Sequence, residues 1–148
     1  MLTVQLARER GAKVIGTARE VNHDYLRSHG TTPTTYGEGL VERVRELSPD
    51  GIDDAGGGAL PALVELAGSP ERVVTIADYE CAQKTGVLMT GGPDSKRAWY
   101  AIGEIGALID AGRFSLPVAQ TFPLEEIAEA HRLSETRHVR GKLVLLVN

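Results

Sequence analysis

The sequence predicts an α/β protein, a parallel sheet whose strands are joined by helices. Three observations carry that expectation. Short β-branched runs bounded by breakers occur at "ERVVTIAD" and "TGVLMTGG", with further apolar strand candidates at "AKVIGT" and "KLVLLVN", and runs of this kind read as buried strands. Between them lie longer segments with apolar residues at helical spacing, such as Leu40, Val44 and Leu47. The two kinds alternate along the chain, which is the pattern of parallel strands with crossover helices.

Taken in order, the chain opens with "MLTVQLARERGAKVIGT". Leu2 and Leu6, with Val4, form one helix face. Gly11 stands where a helix C-terminus favours a left-handed residue, and a strand follows. "REVNHDYLRSHG" predicts a helix stopped by Gly30, and "TTPTTYGEG" a turn-rich connector with a very short strand near Tyr36. "LVERVRELSPDG" is a stronger helix, ended by Pro49 and Gly51, and "ALPALVELAG" predicts another. The longest helix is expected in "SKRAWYAIGEIGALIDAG", with Ser95 as N-cap and Gly112 past the end. "PLEEIAEAHRLSET" is the last helix, with Glu125 and Glu126 in its first turn where the dipole favours acids.

One stretch fits poorly. The alternation calls for a buried strand within "SPDGIDDAGGG", yet only Ile52 and Ala55 are apolar there. Asp53 and Asp54 stand where a parallel strand needs Val, Ile or Leu. Either the strand at 51–55 is two or three residues long or the region is damaged, and the two acids favour damage.

Composition sets outer bounds. A chain of 148 residues with 42% apolar and 24% charged residues suits one globular core. The net charge of −4 and the absence of a basic run argue against nucleic acid as a partner. A single cysteine, Cys81, excludes an intramolecular disulfide and suits a reducing, cytoplasmic setting. No apolar run reaches the length of a membrane span, and the N-terminus lacks signal-peptide features.

Catalytic motifs are missing as well. No G-x-G-x-x-G, phosphate-binding loop or G-x-S-x-G elbow occurs. His23, His29, His131 and His138 include no i,i+4 pair, and Cys81 has no nearby histidine, so no metal ligands are expected. His131 is expected on the inner face of its helix or capping its packing. Asp53 and Asp54 are adjacent, so on a strand they point to opposite faces and cannot act as a paired acid and base. No catalytic residue is assigned.

Five segments taken together carry a resemblance: "VQLARERGAKVIGT", "YGEG", "DDAGGG", "RVVTIA" and "FPLEEIAEAHRLSETRHVRGKLVLLV". They resemble the C-terminal part of medium-chain dehydrogenases/reductases, in particular the zinc-independent NADPH quinone oxidoreductase-like branch. The resemblance implies an incomplete Rossmann-type parallel sheet with helices on both faces. The first strand and its glycine-rich loop are absent and are expected upstream of Met1. It implies a partial cofactor-binding domain over 1–112 and a segment over 113–148 that returns toward an absent catalytic domain. In the Rossmann order 3-2-1-4-5-6 the first strand is central. Without it, strand two presents an unpaired edge, and the isolated chain is expected to be poorly folded, swapped or oligomeric. Edge pairing near "GVLMTGG" implies a possible homodimer.

The same resemblance points to a nicotinamide cofactor and to the residues that touch it. At the end of "GTARE", Thr17 and Arg19 fall where the adenosine ribose binds. A guanidinium suits a 2′-phosphate better than a diol does, so NADP is favoured over NAD, while Glu20 falls a few positions late. Tyr36 is similar to the aromatic residue near the adenosine phosphate. Ala55 and Gly56 open the turn near the nicotinamide ribose, and Ile76 and Ala77 border the nicotinamide ring. Arg140 and Lys142 match basic positions that approach the cofactor. Each has a plainer alternative: a solvent-facing arginine, a packed loop tyrosine, a strand-to-helix turn, a buried strand end and a solvated turn. The implied function is hydride transfer from NADPH to a quinone or enone. A small-molecule substrate binds only if the missing N-terminal part is supplied, and the chain alone is expected to be inactive. The alternative is a non-catalytic remnant or a nucleotide-binding or interaction module.

Overall fold

Helix α1 (Leu2–Glu9) ends in Gly11, whose φ of +82° is the left-handed turn expected there. The structure, a computed structural model, describes residues 2–91, 98–136 and 138–147. The chain forms two units, Met1–Ala98 and Trp99–Asn148.

In the first unit β1 (Ile15–Thr17) is followed by a 3-10 turn (Glu20–Asn22), α2 (His23–Ser28) and β2 (Thr32–Thr34). β1 and β2 pair in parallel, with Ile15 opposite Thr32 and Thr17 opposite Thr34. Gly16 lets α2 sit close on β1, since a Cβ there would stand 2.9 Å from Thr31 Cγ2 and 3.4 Å from Leu26 Cδ1. The short strand expected near Tyr36 lies just before it, and Tyr36 itself is in the following loop.

The remainder of this unit runs α3 (Leu40–Leu47), β3 (Ala55–Gly56), α4 (Leu60–Ala67), β4 (Val73–Thr75), α5 (Tyr79–Thr85) and β5 (Leu88–Met89). The second sheet has the order β3-β4-β5, all parallel. The orders β2-β1 and β3-β4-β5 are those of an α/β Rossmann-type sheet that lacks its central strand. Among the described residues no strand joins β1 to β3. Instead α3 packs on α4, where Arg45 pairs with Glu65 at 2.8 Å. That pair is exposed and contributes at most about 1 kcal/mol, so apolar packing dominates.

Leu60, Ala67, Val73, Ala82 and Val87 form the core against which Leu63, Val64 and Met89 pack. Burying each large member stabilises the unit by roughly 1.5–3 kcal/mol. Val73 and Thr75 point into this core, while Val74 is exposed, the period-2 alternation of a strand covered on one face. β3 is only two residues long. Asp53 and Asp54 fall outside its ladder, and Asp53 reaches Arg72 at 3.1 Å. Helix α5 was not expected from the sequence. Its N-cap is Asp78, whose Oδ1 accepts from the Cys81 N–H at 3.0 Å, and Gly86 closes it at φ +75°.

In the second unit α6 (Tyr100–Asp110) precedes Gly112, and its expected N-cap Ser95 lies outside the described residues. β6 (Val118–Pro123), α7 (Ile127–Glu135) and β7 (Lys142–Leu146) form a β-α-β crossover with parallel strands. Phe122 and Ala130 are buried in this unit. Among the described residues no helix is long and apolar enough to cross a membrane.

Candidate functional site

Parallel strands place their carboxyl ends side by side, and the loops leaving those ends build the site. At β1 and β2 the ladder closes with the Ala18 N–H donating to the Thr34 carbonyl at 2.9 Å. Arg19 therefore leaves β1 next to the point where Tyr36 leaves β2. Arg19 is exposed, with extended backbone (φ −66°, ψ 147°), and its carbonyl accepts from the Asn22 N–H at 2.8 Å. Its guanidinium has no partner among the described residues. The His23 ring holds the Ala18 carbonyl through Nε2 at 3.2 Å, which fixes the turn that carries Arg19.

Tyr36 is 57% exposed rather than packed. Thr17 ends β1 with its side chain exposed. The loop that carries Tyr36 is tied to α3 by Arg43. Its Nε donates to Thr34 Oγ1 at 3.3 Å, its Nη2 to the Thr35 carbonyl at 2.9 Å and its Nη1 to the Glu38 carbonyl at 2.8 Å.

A second group lies at the ends of β3 and β4. Gly56 is exposed, and a Cβ on it would stand 3.3 Å from Val74 Cγ1. Ala55 is half-buried beside the core. Past β4, Ile76 is 77% exposed, which differs from the buried strand end that its sequence context suggests. The reason is local. Buried Thr75 turns the chain by accepting from the Ala77 N–H at 3.3 Å and the Asp78 N–H at 3.5 Å through Oγ1, so Ile76 leaves the sheet.

Arg140 and Lys142 belong to the second unit, where both are exposed. Lys142 opens β7, and its N–H donates to the Pro117 carbonyl at 2.8 Å. With His131, Ser134, Ile127 and Leu145 it lines a groove of about 410 Å³ between α7 and β7. His131 is exposed and lines that groove from the face of α7 toward β7. The structure thus puts Thr17 and Arg19 at the end of β1 and Tyr36 two residues past the neighbouring end of β2, and Gly56 with Ile76 and Ala77 at neighbouring strand ends. Sequence reasoning passed over Arg43. Its signal was a cation on the Leu40–Val44–Leu47 face of an amphipathic helix, where an apolar residue is expected.

A family profile described as zinc-binding dehydrogenase matches residues 51–145. The chain belongs to that family. A zinc-binding dehydrogenase profile that covers most of the chain bears out the resemblance to the C-terminal part of medium-chain dehydrogenases/reductases. Among solved structures, an NAD-dependent alcohol dehydrogenase matches with a TM-score of 0.77 at 23% identity, over 98% of this chain and 47% of that one. The quinone oxidoreductase from Coxiella burnetii matches with a TM-score of 0.72 at 26% identity, over 99% of this chain and 49% of that one. A mycobacterial protein complexed with NADPH matches with a TM-score of 0.66 at 20% identity, over 97% of this chain and 52% of that one. The chain spans about half the length of these structures. No curated protein matches it in sequence.

The described residues do not fit the zinc in the family's name. Among the described residues no three His, Cys, Asp or Glu side chains gather where they could hold a metal ion. Cys81, the only cysteine, lies half-buried on α5. A structural zinc site takes four such ligands and a catalytic one three, so no step is derived through a metal.

Proposed function

We propose that this chain is the NADP-binding, C-terminal portion of a zinc-independent medium-chain oxidoreductase acting on quinone or enone-type substrates. The observation that carries this reading is Arg19 just past the carboxyl end of β1, next to the end of β2 from which the chain leads to Tyr36. A site for an unphosphorylated ribose places a carboxylate there to accept from the 2′-OH. Here an exposed guanidinium without a partner among the described residues stands in that place, and it suits a 2′-phosphate dianion.

The other residues take roles by position. Thr17 and Tyr36 flank the adenosine phosphate. Ala55 and Gly56 pass near the nicotinamide ribose. Ile76 and Ala77 offer apolar surface to the nicotinamide ring, and Arg140 and Lys142 add positive charge. When bound, the nicotinamide supplies hydride chemistry. The chain orients it and keeps water from it, which needs no acid or base among these residues.

In this reading residues 1–112 are the cofactor portion and 113–148 return toward a catalytic domain. The protein is cytoplasmic, and the chain alone binds cofactor without turnover. It forms a homodimer along β5, which is the outer strand of its sheet. The test is a titration with NADPH and with NADH, followed by nicotinamide fluorescence. Saturable binding that prefers NADPH is expected, and binding of neither would overturn the assignment. The two-residue β3 favours a second reading, a non-catalytic remnant or nucleotide-binding module. Reading the DNA upstream of the Met1 codon for a strand followed by a glycine-rich loop separates the two.

A further inference from the structure

Arg43 stands in the first turn of α3, where the positive end of the helix dipole disfavours a cation. It is half-buried and has no carboxylate partner among the described residues. Its three hydrogen bonds all go to neutral acceptors in one segment: Thr34 Oγ1, the Thr35 carbonyl and the Glu38 carbonyl. These acceptors bracket Tyr36, whose phenol makes no hydrogen bond among the described residues. The segment is soft without such a clamp, since Gly37 and Gly39 sit at φ +91° and +72°. Gly39 also makes room for the clamp, because a Cβ there would stand 2.8 Å from Arg43 Nη1.

We infer that Arg43 is a positioning residue that holds Tyr36 beside Arg19 and so sets the preference for 2′-phosphorylated adenosine. The inference rests on the NADP reading above. Without the clamp the Thr35–Glu38 loop samples other conformations. Apparent affinity then falls in proportion to the fraction of molecules that still hold Tyr36 in place. Arginine is required because its fork reaches three acceptors at once, whereas a lysine ammonium on a flexible stem cannot hold the same planar set.

The experiment titrates the ¹⁵N-labelled full chain with 2′-phosphoadenosine 5′-phosphate (2′,5′-ADP) and with ADP, following the amide signals of Ala18, Arg19 and Tyr36. In Arg43→Ala the affinity for 2′,5′-ADP falls about tenfold and that for ADP under about twofold. Arg43→Lys keeps the charge and behaves like Arg43→Ala. In a Tyr36→Ala background, Arg43→Ala brings no further loss, which is the non-additivity of residues that act through one another. Wild-type affinity in Arg43→Lys would show that charge alone matters and overturn the inference. So would additive losses, or equal losses for both ligands. If Arg43→Ala does not fold, Thr34→Val removes one of the three bonds. A selective loss of about twofold then supports the clamp, and unchanged selectivity overturns it. Failure of the unmutated chain to prefer 2′,5′-ADP removes the NADP reading itself, a result seen before any variant is made.

Discussion

Arg19→Ala isolates the step from guanidinium to cofactor choice. The side chain is exposed and has no partner among the described residues, so its removal changes stability by no more than about 0.5 kcal/mol. Any effect on binding is then a direct one. Hydrogen bonds to charged groups contribute about 1.5–3 kcal/mol, and solvent exposure of Arg19 places the loss at the low end. A loss of about 1.4 kcal/mol is a tenfold rise in Kd. NADPH affinity is therefore expected to fall about tenfold while NADH affinity stays unchanged. The difference shrinks with added salt, because exposed charges are screened beyond a Debye length that falls from about 8 Å at physiological ionic strength to about 3 Å at 1 M. Arg19→Glu goes further, since a carboxylate repels the phosphate and accepts from a free ribose hydroxyl, so preference turns toward NADH. Nicotinamide fluorescence at low and high salt reads all of this. Equal losses for both cofactors, or an unchanged NADPH affinity, would refute the argument. A preference for NADH in the unmutated chain would turn attention to Glu20.

Three other outcomes follow from the packing. Leu60 is fully buried at the centre of the first unit's core, so Leu60→Ala is expected to destabilise that unit by about 2–5 kcal/mol in chemical denaturation; a loss under about 1 kcal/mol would misplace the core. Asp78→Ala removes the N-cap of α5 and is expected to cost about 1 kcal/mol, read as a lower melting temperature with cofactor selectivity unchanged. The register of β4 with β5 directs the Met89 N–H away from β4, so Met89→Pro removes an outward donor without breaking that ladder. A β5-paired dimer becomes monomeric in sedimentation with this change, and a dimer that persists uses another surface.

What was legible in the sequence follows the strength of each local signal. Leu40, Val44 and Leu47 announced α3, Gly30 marked a helix end, the β-branched run Val73–Thr75 marked β4, and the apolar run Leu143–Leu146 marked β7. Helix α5 escaped because its inward face is only Cys81 and Ala82; its evidence lay in the caps, Asp78 and Gly86, rather than in apolar period. β6 escaped because Gln120 and Thr121 interrupt its apolar run, and the pairing with β7 that makes it a strand is non-local. That Arg19 and Tyr36 follow neighbouring strand ends was readable once β1 and β2 were taken as parallel neighbours. Arg43 was visible only as a cation on the apolar face of α3; its three bonds to carbonyl and hydroxyl oxygens are set by loop conformation and could not be read from residue spacing.

The break between β1 and β3 has a signature at single amides. In a parallel ladder, alternate residues direct both their N–H and C=O to the same neighbour. The Thr32 N–H donates to the Val14 carbonyl, and the Ala18 N–H to the Thr34 carbonyl. With Gly16 opposite Pro33, the even residues of this stretch face β2 and the odd ones, Ile15 and Thr17, face away. Pro33 obeys the same rule on β2: its nitrogen, which has no proton to give, points to the far edge, where a strand tolerates proline. Ile15 and Thr17 thus hold donors toward an edge with no partner strand among the described residues. Amide hydrogen exchange is expected to be at least about tenfold faster at Ile15 and Thr17 than at Gly16 and Ala18. Equal protection at all four would mean that another strand lies along β1, and dilution tells its source. Protection lost on dilution comes from a second copy of the chain, because only pairing between molecules depends on concentration.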